Sequence, residues 1–475
     1  MMAGIVSIGA YVPMYRLSGE EIGRMWRTKG AAGEKAVAGY DEDALTMGVA
    51  AVRDCLARAG KGADALYLAS TTTPYREKQN AAILASALDM HRASLTADYA
   101  NSLRGATIAM RAALDAVNAA SAGHVVVAAA DCRMGAPGGR FEQIFGDGAA
   151  AIMIGKDDVI AEVEGTYSAF SDFTDEWRTA NDLFVRSGEG RFVDEVGFLP
   201  TMKEAVTGLM EKCGVKLPDI SKFVFSALDG RVHGLLAKGL GIDKSQVQDP
   251  FYSKIGNTGT PAALIMLAAA LEEAKPGELI LMANYGDGAD AFLLRATGNK
   301  GSTTKAPSMK ERLVGRRSID YGSYLSWRDL VPFEASSLPE RPEPSLASRW
   351  RERKVVDSLM GVKCRKCGTP QIHPIGQNVR ICIACQAKDD FEPYPFADKT
   401  ATLFTYAVDH LQPTKNPPGL NGVIDFVGGG RLICELTDYD LDKVKIGMQV
   451  EMVFRKLFQG KGIVNYFWKA KPTER

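Results

Sequence analysis

Two Cys-x-x-Cys pairs, Cys364/Cys367 and Cys382/Cys385, with 14 residues between them, are the residues whose spacing most directly implies chemistry. Each pair makes a tight knuckle that presents two thiolates on one side, and two knuckles supply the four soft ligands of a tetrahedral zinc. One such pair alone could equally be a redox couple or a chance spacing; two in a chain of eight cysteines favour zinc. Four protein ligands leave no open position, so the metal is expected to be structural. His373 lies between the knuckles, but four thiolates already complete the shell. The other cysteines (Cys55, Cys132, Cys213, Cys434) read as reduced thiols of a cytoplasmic protein.

A second stretch with chemical content is "TADYANSLRGATIAM", Thr96 to Met110. It reads as a buried strand that ends at Asn101-Ser102 and runs directly into a helix. Amides at a helix start have no partner inside the helix and face any group placed there. A serine hydroxyl gains little from that environment and needs an adjacent base to act as a nucleophile. The five histidines (His91, His124, His233, His373, His410) do not supply one, since each reads as a structural or surface residue.

These residues must be held by larger elements, and the first 300 residues contain a hidden duplication. "ANSLRGATIAMRAALDAVNAASAGHVVVAAAD" followed by "GDGAAAIMIG" matches "IGNTGTPAALIMLAAALEEAKPGELILMANYGDGADAFLL". Both read Asn–Ser/Thr, Ala-rich helix, turn, apolar strand, Gly-Asp-Gly-Ala and a further strand. The first copy is 16 positions longer, mostly through the loop Cys132 to Ile144. Continuous apolar strands alternating with helices predict sheets covered on both faces. From residue 300 the composition turns to Gly, Ser, Thr, Lys and Pro, as in a linker, with a Pro-rich stretch at Ser336–Ser345. A helix, the cysteine cluster and then short strands with Gly turns follow, which suggests a small barrel.

Lys+Arg and Asp+Glu both total 57, which gives no nucleic-acid footprint. The N-terminus reads as a strand, not a secretory signal, and no apolar run is long enough for a membrane span.

With these pieces in place, the first 300 residues resemble the thiolase superfamily, and within it the 3-hydroxy-3-methylglutaryl-CoA synthases. The stretches that carry the resemblance include "GIVSIGAYVPMYRL", "STTTPYREKQNAA", "ANSLRGATIAM", "FGDGAAAIMIG", "IGNTGTPAALIML" and "YGDGADAFLL". From about Tyr321 the chain is similar to zinc-ribbon plus OB-fold proteins that partner thiolase-like enzymes. The resemblance implies an α/β fold with a duplicated five-layer αβαβα domain at 1–299 (halves 1–160 and 161–299). A linker at 300–345, a helix and zinc ribbon at 346–395 and an all-β OB-fold barrel at 396–475 would follow. It also implies a homodimer, an acyl-CoA ligand and, as a further partner, a thiolase or another acyl-CoA enzyme.

Carried over by position, the family's acyl-accepting cysteine falls on Ser102, its glutamate on Thr71 and its histidine on Ser226, while its Gly-Asn asparagine is retained as Asn257. Without the cysteine, the expected chemistry is aldol or retro-aldol on a β-hydroxyacyl-CoA, with no cysteinyl intermediate. An oxyanion hole is expected from the amides at Ser102 and the Gly286–Gly288 turn. Candidate bases are Tyr75, Tyr99, Tyr285, Asp229 and Cys132, each of which could equally serve the core; Cys132 could also be a displaced nucleophile. The competing expectation is a non-catalytic acyl-CoA-binding or channelling subunit.

Overall fold

A computed structural model describes residues 2–299, 307–332, 334, 345–372 and 378–473. His373 lies outside the described residues. The chain divides into two units: Met1–Ala38, Asp43–Ala82 and His91–Tyr321 form the first, and Gly39–Glu42, Ile83–Met90 and Gly322–Arg475 the second.

The first unit is built on a nine-stranded sheet. Its strands are β1 (Gly4–Tyr11), β2 (Ala65–Ser70), β3 (Leu95–Ala100), β4 (Val125–Asp131), β5 (Gly148–Gly155), β6 (Ala161–Phe170), β7 (Ile220–Phe225), β8 (Leu279–Tyr285) and β9 (Gly288–Ala296). The spatial order is β7-β8-β9-β6-β1-β5-β4-β2-β3. Read outward from the centre, the two halves repeat one pairing scheme. On one side β1–β5 and β5–β4 are antiparallel, and β4–β2 and β2–β3 parallel. On the other, β6–β9 and β9–β8 are antiparallel, β8–β7 is parallel, and Val247 makes a parallel bridge to Phe223 of β7 where β3 would have its counterpart. The halves join through a short pairing of β1 with β6 at Gly4–Ile5. The duplication read from the sequence is thus present in the strand order.

The helices complete the layers. α1 (Ala44–Ala59) packs on β1 and β5; α2 (Gly105–Asn118) follows β3; α3 (Leu199–Cys213) and α4 (Gly230–Leu240) flank β7; and α5 (Ala262–Glu273) precedes β8. Every residue of α5 from Ala262 to Ala270 is buried, as expected of a helix that is apolar on all sides. α2 and α5 share one core with Ile5, Val127, Ile152, Ile280, Met282 and Phe292, drawn from both sheet halves. The alternate residues Leu281, Ala283, Ala291 and Leu293 face a second core with Met202, Leu209 and Leu236 of α3 and α4. This period-two division gives the sheet two faces, each covered by helices. The fold is α/β and thiolase-like.

Three local expectations differ. β3 is not a buried strand: it lies at the sheet edge, and Leu95 is 59% exposed. α2 starts at Gly105, three residues after Ser102, and α5 starts after Pro261, not at Asn257. The stretch expected to be a linker carries helices Met309–Val314 and Tyr321–Trp327 and a strand Arg317–Ser318 paired with Tyr15–Arg16.

In the second unit, helix Leu346–Ser358 precedes a three-stranded sheet of Met360–Cys364, Pro370–Gln371 and Phe391–Pro395. A five-stranded antiparallel sheet follows, from Ala401–Asp409, Gly419–Phe426, Arg431–Glu435, Gln449–Gly460 and Ile463–Pro472. Its interior holds charge. Arg455, fully buried, lies 3.0 Å from Glu42 and 2.9 Å from Asp438, and the buried Lys469 lies 2.9 Å from both Asp41 and Glu435. No helix among the described residues is long and apolar enough to cross a membrane.

Candidate functional site

The chain leaves β3 at Ala100, turns at Asn101 in the left-handed region (φ 72°), and makes one turn before α2 begins. Ser102 sits in that turn. Its Oγ accepts from the Arg104 amide at 3.2 Å and donates to the Gly286 carbonyl at 3.2 Å. The single hydroxyl proton is therefore directed at a carbonyl oxygen, not a base. Asn284 reaches across from β8, donating to the Leu103 carbonyl at 3.0 Å and accepting from Ser226 Oγ at 2.5 Å. Arg104 anchors the same turn from below, with its guanidinium on the Ala169 carbonyl (2.8 Å) and 3.5 Å from Asp290.

The β8–β9 turn is built to receive Ser102. A Cβ on Gly286 would lie 2.7 Å from the Arg104 amide nitrogen and 3.0 Å from Ser102 Oγ, and one on Gly288 would lie 2.2 Å from the Ala169 carbonyl oxygen. Glycine is required at both positions by close approach. The Gly286 amide, expected to face an oxyanion, instead donates to the Gly288 carbonyl at 2.9 Å. Among the described residues, the amides of Ser102, Leu103 and Asp287 have no intramolecular acceptor.

A second cluster centres on Asp131 at the end of β4, a residue the sequence did not single out. Its Oδ1 accepts from Ser70 Oγ, the Thr71 amide, Thr71 Oγ1 and Thr72 Oγ1 at 2.8–3.1 Å. Its Oδ2 accepts from the amide and hydroxyl of Thr260 at 2.9 and 2.5 Å. Thr72 Oγ1 in turn accepts from the Cys132 amide at 2.8 Å. One fully buried carboxylate thus ties together the β2 end, the β4 end and the start of α5. Asn257 is likewise engaged, donating to the Ala227 and Leu228 carbonyls at 2.9 and 3.1 Å and accepting from the Gly259 amide at 2.9 Å.

The remaining predicted residues lie apart from these clusters. Tyr285 follows Asn284 on β8, so its side chain faces the opposite layer, where it packs on Phe198 and bonds Asp175. Burial, reinforced by the Asp175 charge, pushes its phenol up, away from the phenolate a base would need. Asp229 caps α4, accepting from the Val232 amide at 3.0 Å and from Arg140 at 2.7 Å. Burial works to raise its carboxyl pKa, but those two donors hold it below the ordinary value. Tyr99 on β3 packs against Tyr67 of β2, ring centres 5.6 Å apart, and burial raises its phenol pKa. Tyr75 is tied through its backbone to Asn80. His233 is buried against Phe225, ring centres 4.3 Å apart, and burial lowers its pKa to about 4. Close to Asp229 opens a cleft of about 330 Å³ lined by Arg140, Arg191, Arg231, Asp194, Glu195 and Leu235.

In the second unit the four thiols of Cys364, Cys367, Cys382 and Cys385 all lie within 4.8 Å of one another. Cys364–Cys385 and Cys367–Cys382 are 3.7 and 3.5 Å apart at sulfur. A tetrahedral metal with sulfur at about 2.3 Å needs sulfur–sulfur edges of roughly 3.8 Å, so the donor set fits a structural metal.

The comparisons with known proteins match this architecture. A hydroxymethylglutaryl-CoA synthase from Thermococcus gammatolerans is 36% identical over 335 residues, 68% of this chain and 95% of the relative. Another from Methanocaldococcus jannaschii is 36% identical over 344 residues, 70% of this chain and 99% of the relative. This chain belongs to the hydroxymethylglutaryl-CoA synthase family. As a synthase-family member it also matches the 3-oxoacyl-[acyl-carrier-protein] synthase III C-terminal profile at residues 210–295, the second half of the duplication. The C-terminal OB-fold profile of ChsH2 matches residues 394–455, which adds an OB-fold to the synthase-like unit. Among solved structures, an HMG-CoA synthase complexed with CoA aligns with TM-score 0.61 at 18% identity, covering 72% of this chain and 92% of that one. The 3-oxoacyl-(acyl carrier protein) synthase III of Pseudomonas aeruginosa aligns with TM-score 0.58 at 19% identity, covering 62% and 98%. At these identities the structures bear on the fold alone.

Proposed function

We propose that this protein acts on an acyl-CoA, making or breaking the bond between the α and β carbons of a β-hydroxyacyl thioester without a covalent acyl-enzyme. The observation that carries this reading is the docking of the Ser102 turn on the Gly286–Gly288 turn, which leaves the Ser102 and Asp287 amides without intramolecular acceptors. Two preorganised N–H donors are what a thioester oxyanion requires. In the cleavage direction the β-hydroxyl proton passes to Thr71 Oγ1 as the Thr71 proton moves to Asp131. The Cα–Cβ bond then breaks, its electron pair passes into the thioester enolate held by the two amides, and protonation at Cα releases an acyl-CoA and a carbonyl compound. The CoA phosphates take the arginine-lined cleft, exchanging with the carboxylates that now pair Arg140 and Arg231.

The alternative, a non-catalytic acyl-CoA-binding or channelling subunit beside a thiolase, is supported by one feature of the site. The hydroxyls of Ser102, Thr71 and Ser226 all donate to protein acceptors already. We further propose that the four cysteines hold zinc and that the protein is a cytoplasmic homodimer. The exposed edge strand β3 offers the surface for pairing with a second copy.

The test is mass spectrometry of the purified protein with acetyl-, acetoacetyl- and several β-hydroxyacyl-CoAs, recording both products and intact-protein mass. Cleavage or condensation without an adduct is the expected result. An acyl adduct on Ser102 or Cys132 overturns the mechanism, and binding without turnover selects the non-catalytic subunit.

A further inference from the structure

The hydroxyls of Ser102, Thr71 and Ser226 each have their one proton engaged: on the Gly286 carbonyl, on Asp131 Oδ1 and on Asn284 Oδ1. A backbone carbonyl and a carboxylate only accept, which fixes the direction of the first two bonds. The third follows from the Asn284 amide. Its Nδ2 donates to the Leu103 carbonyl at 3.0 Å, so Oδ1 is the atom turned toward Ser226, and the proton between them at 2.5 Å belongs to Ser226. Asn284 is 2% exposed and Ser226 8%, so both partners are shielded from water.

Direct hydrogen bonds connect these groups into one assembly. Asn284 ties Ser226 to the carbonyl next to Ser102. Asn257 carries the contact on, from the Ala227 carbonyl to the Gly259 amide, and the neighbouring Thr260 bonds Asp131, which holds Thr71. What each oxygen has left is lone pairs. Among the described residues no donor meets Ser226 Oγ or Thr71 Oγ1, while Ser102 Oγ already takes the Arg104 amide. A ligand group set against Thr71 and Ser226 therefore meets acceptors only. An alcohol supplies the missing proton, whereas a ketone oxygen has none and its lone pairs oppose theirs. A site built this way rejects the analogue that lacks the donor.

We propose that Asn284 is a positioning residue that fixes Ser226 as an acceptor. With Thr71 held the same way by Asp131, the site selects an alcohol over a ketone at Cβ of the acyl group. This rests on the acyl-CoA reading above and goes beyond it, because the resting enzyme takes the β-hydroxyacyl form and disfavours a 3-oxoacyl-CoA. The test uses three CoA analogues in which an N–H replaces the thioester sulfur, carrying butyryl, 3-hydroxybutyryl (each enantiomer) and 3-oxobutyryl groups. Calorimetry on the full-length protein gives the affinity for each. One 3-hydroxy enantiomer is expected to bind at least ~10-fold more tightly than the 3-oxo ligand, the scale of one satisfied against one opposed hydrogen bond. Asn284→Ala frees the Ser226 proton and should bring that ratio to within about 3-fold by tightening the 3-oxo ligand. A merely structural role for Asn284 would weaken all the ligands alike and leave the ratio unchanged, which overturns the proposal. Ser226→Ala, which removes the opposing lone pairs and leaves the Asn284–Leu103 bond in place, should also lower the ratio even if N284A fails to fold. Equal affinity for the hydroxy and oxo ligands in the wild type overturns the selection while leaving the CoA-ester reading intact, and so does a preference that survives in both variants. Failure to bind any of the three analogues overturns the CoA-ester reading and the selection with it.

Discussion

Asp131 accepts from six donors contributed by two separated stretches of chain. Asp131→Asn puts an amide N–H₂ where an oxygen now meets at least two of those donors. We expect a loss of roughly 2–4 kcal/mol in stability, read as a lower urea midpoint at unchanged slope, together with loss of any turnover. Gly286→Ala drives a methyl against the Arg104 amide and Ser102 Oγ. It should lower kcat with CoA-ester affinity little changed, because the proposed oxyanion turn moves while the residues lining the arginine cleft are untouched. His233 gives a pH signature. Its folded pKa of about 4 lies below the ordinary value of about 6.5, so the unfolded chain binds the proton first. The stability due to the neutral imidazole is fully present above pH ~6.5 and is lost as pH falls toward 4, by at most about 3 kcal/mol. Denaturation of His233→Phe from pH 4.5 to 7 should show a flatter acid limb than wild type. The Ser102 position was legible in sequence because a strand-to-helix junction is a local pattern. Asp131 was not, because its donors at 70–72 and 260 become neighbours only once the strands are ordered.

At the scale of elements, the repeated Asn–helix–strand–Gly-Asp-Gly order was readable as a duplication, and the strand pairing repeats it. The position of β3 was not readable, since apolar content alone does not separate an edge strand from a central one. Helix starts were placed too early for a related reason. Ser102 follows the end of a strand and Asn257 follows the short helix Tyr252–Ile255, and in both places the long helix begins only after a further turn. Leu95→Lys on the exposed edge of β3 should shift a dimer toward monomer in sedimentation analysis; an unchanged dimer would place the interface elsewhere. In the cleft, Arg140→Ala and Arg231→Ala should each raise KM for a CoA ester by about 10-fold with kcat nearly unchanged, as expected for a group that binds ground and transition states equally.

For the molecule as a whole, the cysteine spacing specified the four-cysteine cluster directly, while the short C-terminal strands suggested a small barrel that the family resemblance identified as an OB-fold. Elemental analysis should find one zinc per chain. Cys364→Ser or Cys382→Ser should abolish it and expose 360–395 to protease, since a structural zinc contributes directly to folding. What composition could not reveal is that the C-terminal unit includes Gly39–Glu42 and Ile83–Met90. Two acids from near the start of the chain, Asp41 and Glu42, are the buried partners of Lys469 and Arg455 near its end. During synthesis these acids emerge some 400 residues ahead of their partners, an interval of roughly 20–80 s at ordinary elongation rates. The barrel therefore does not mature from late residues alone: the acids made first wait for the last strands, and the charged interior closes only when both segments are present.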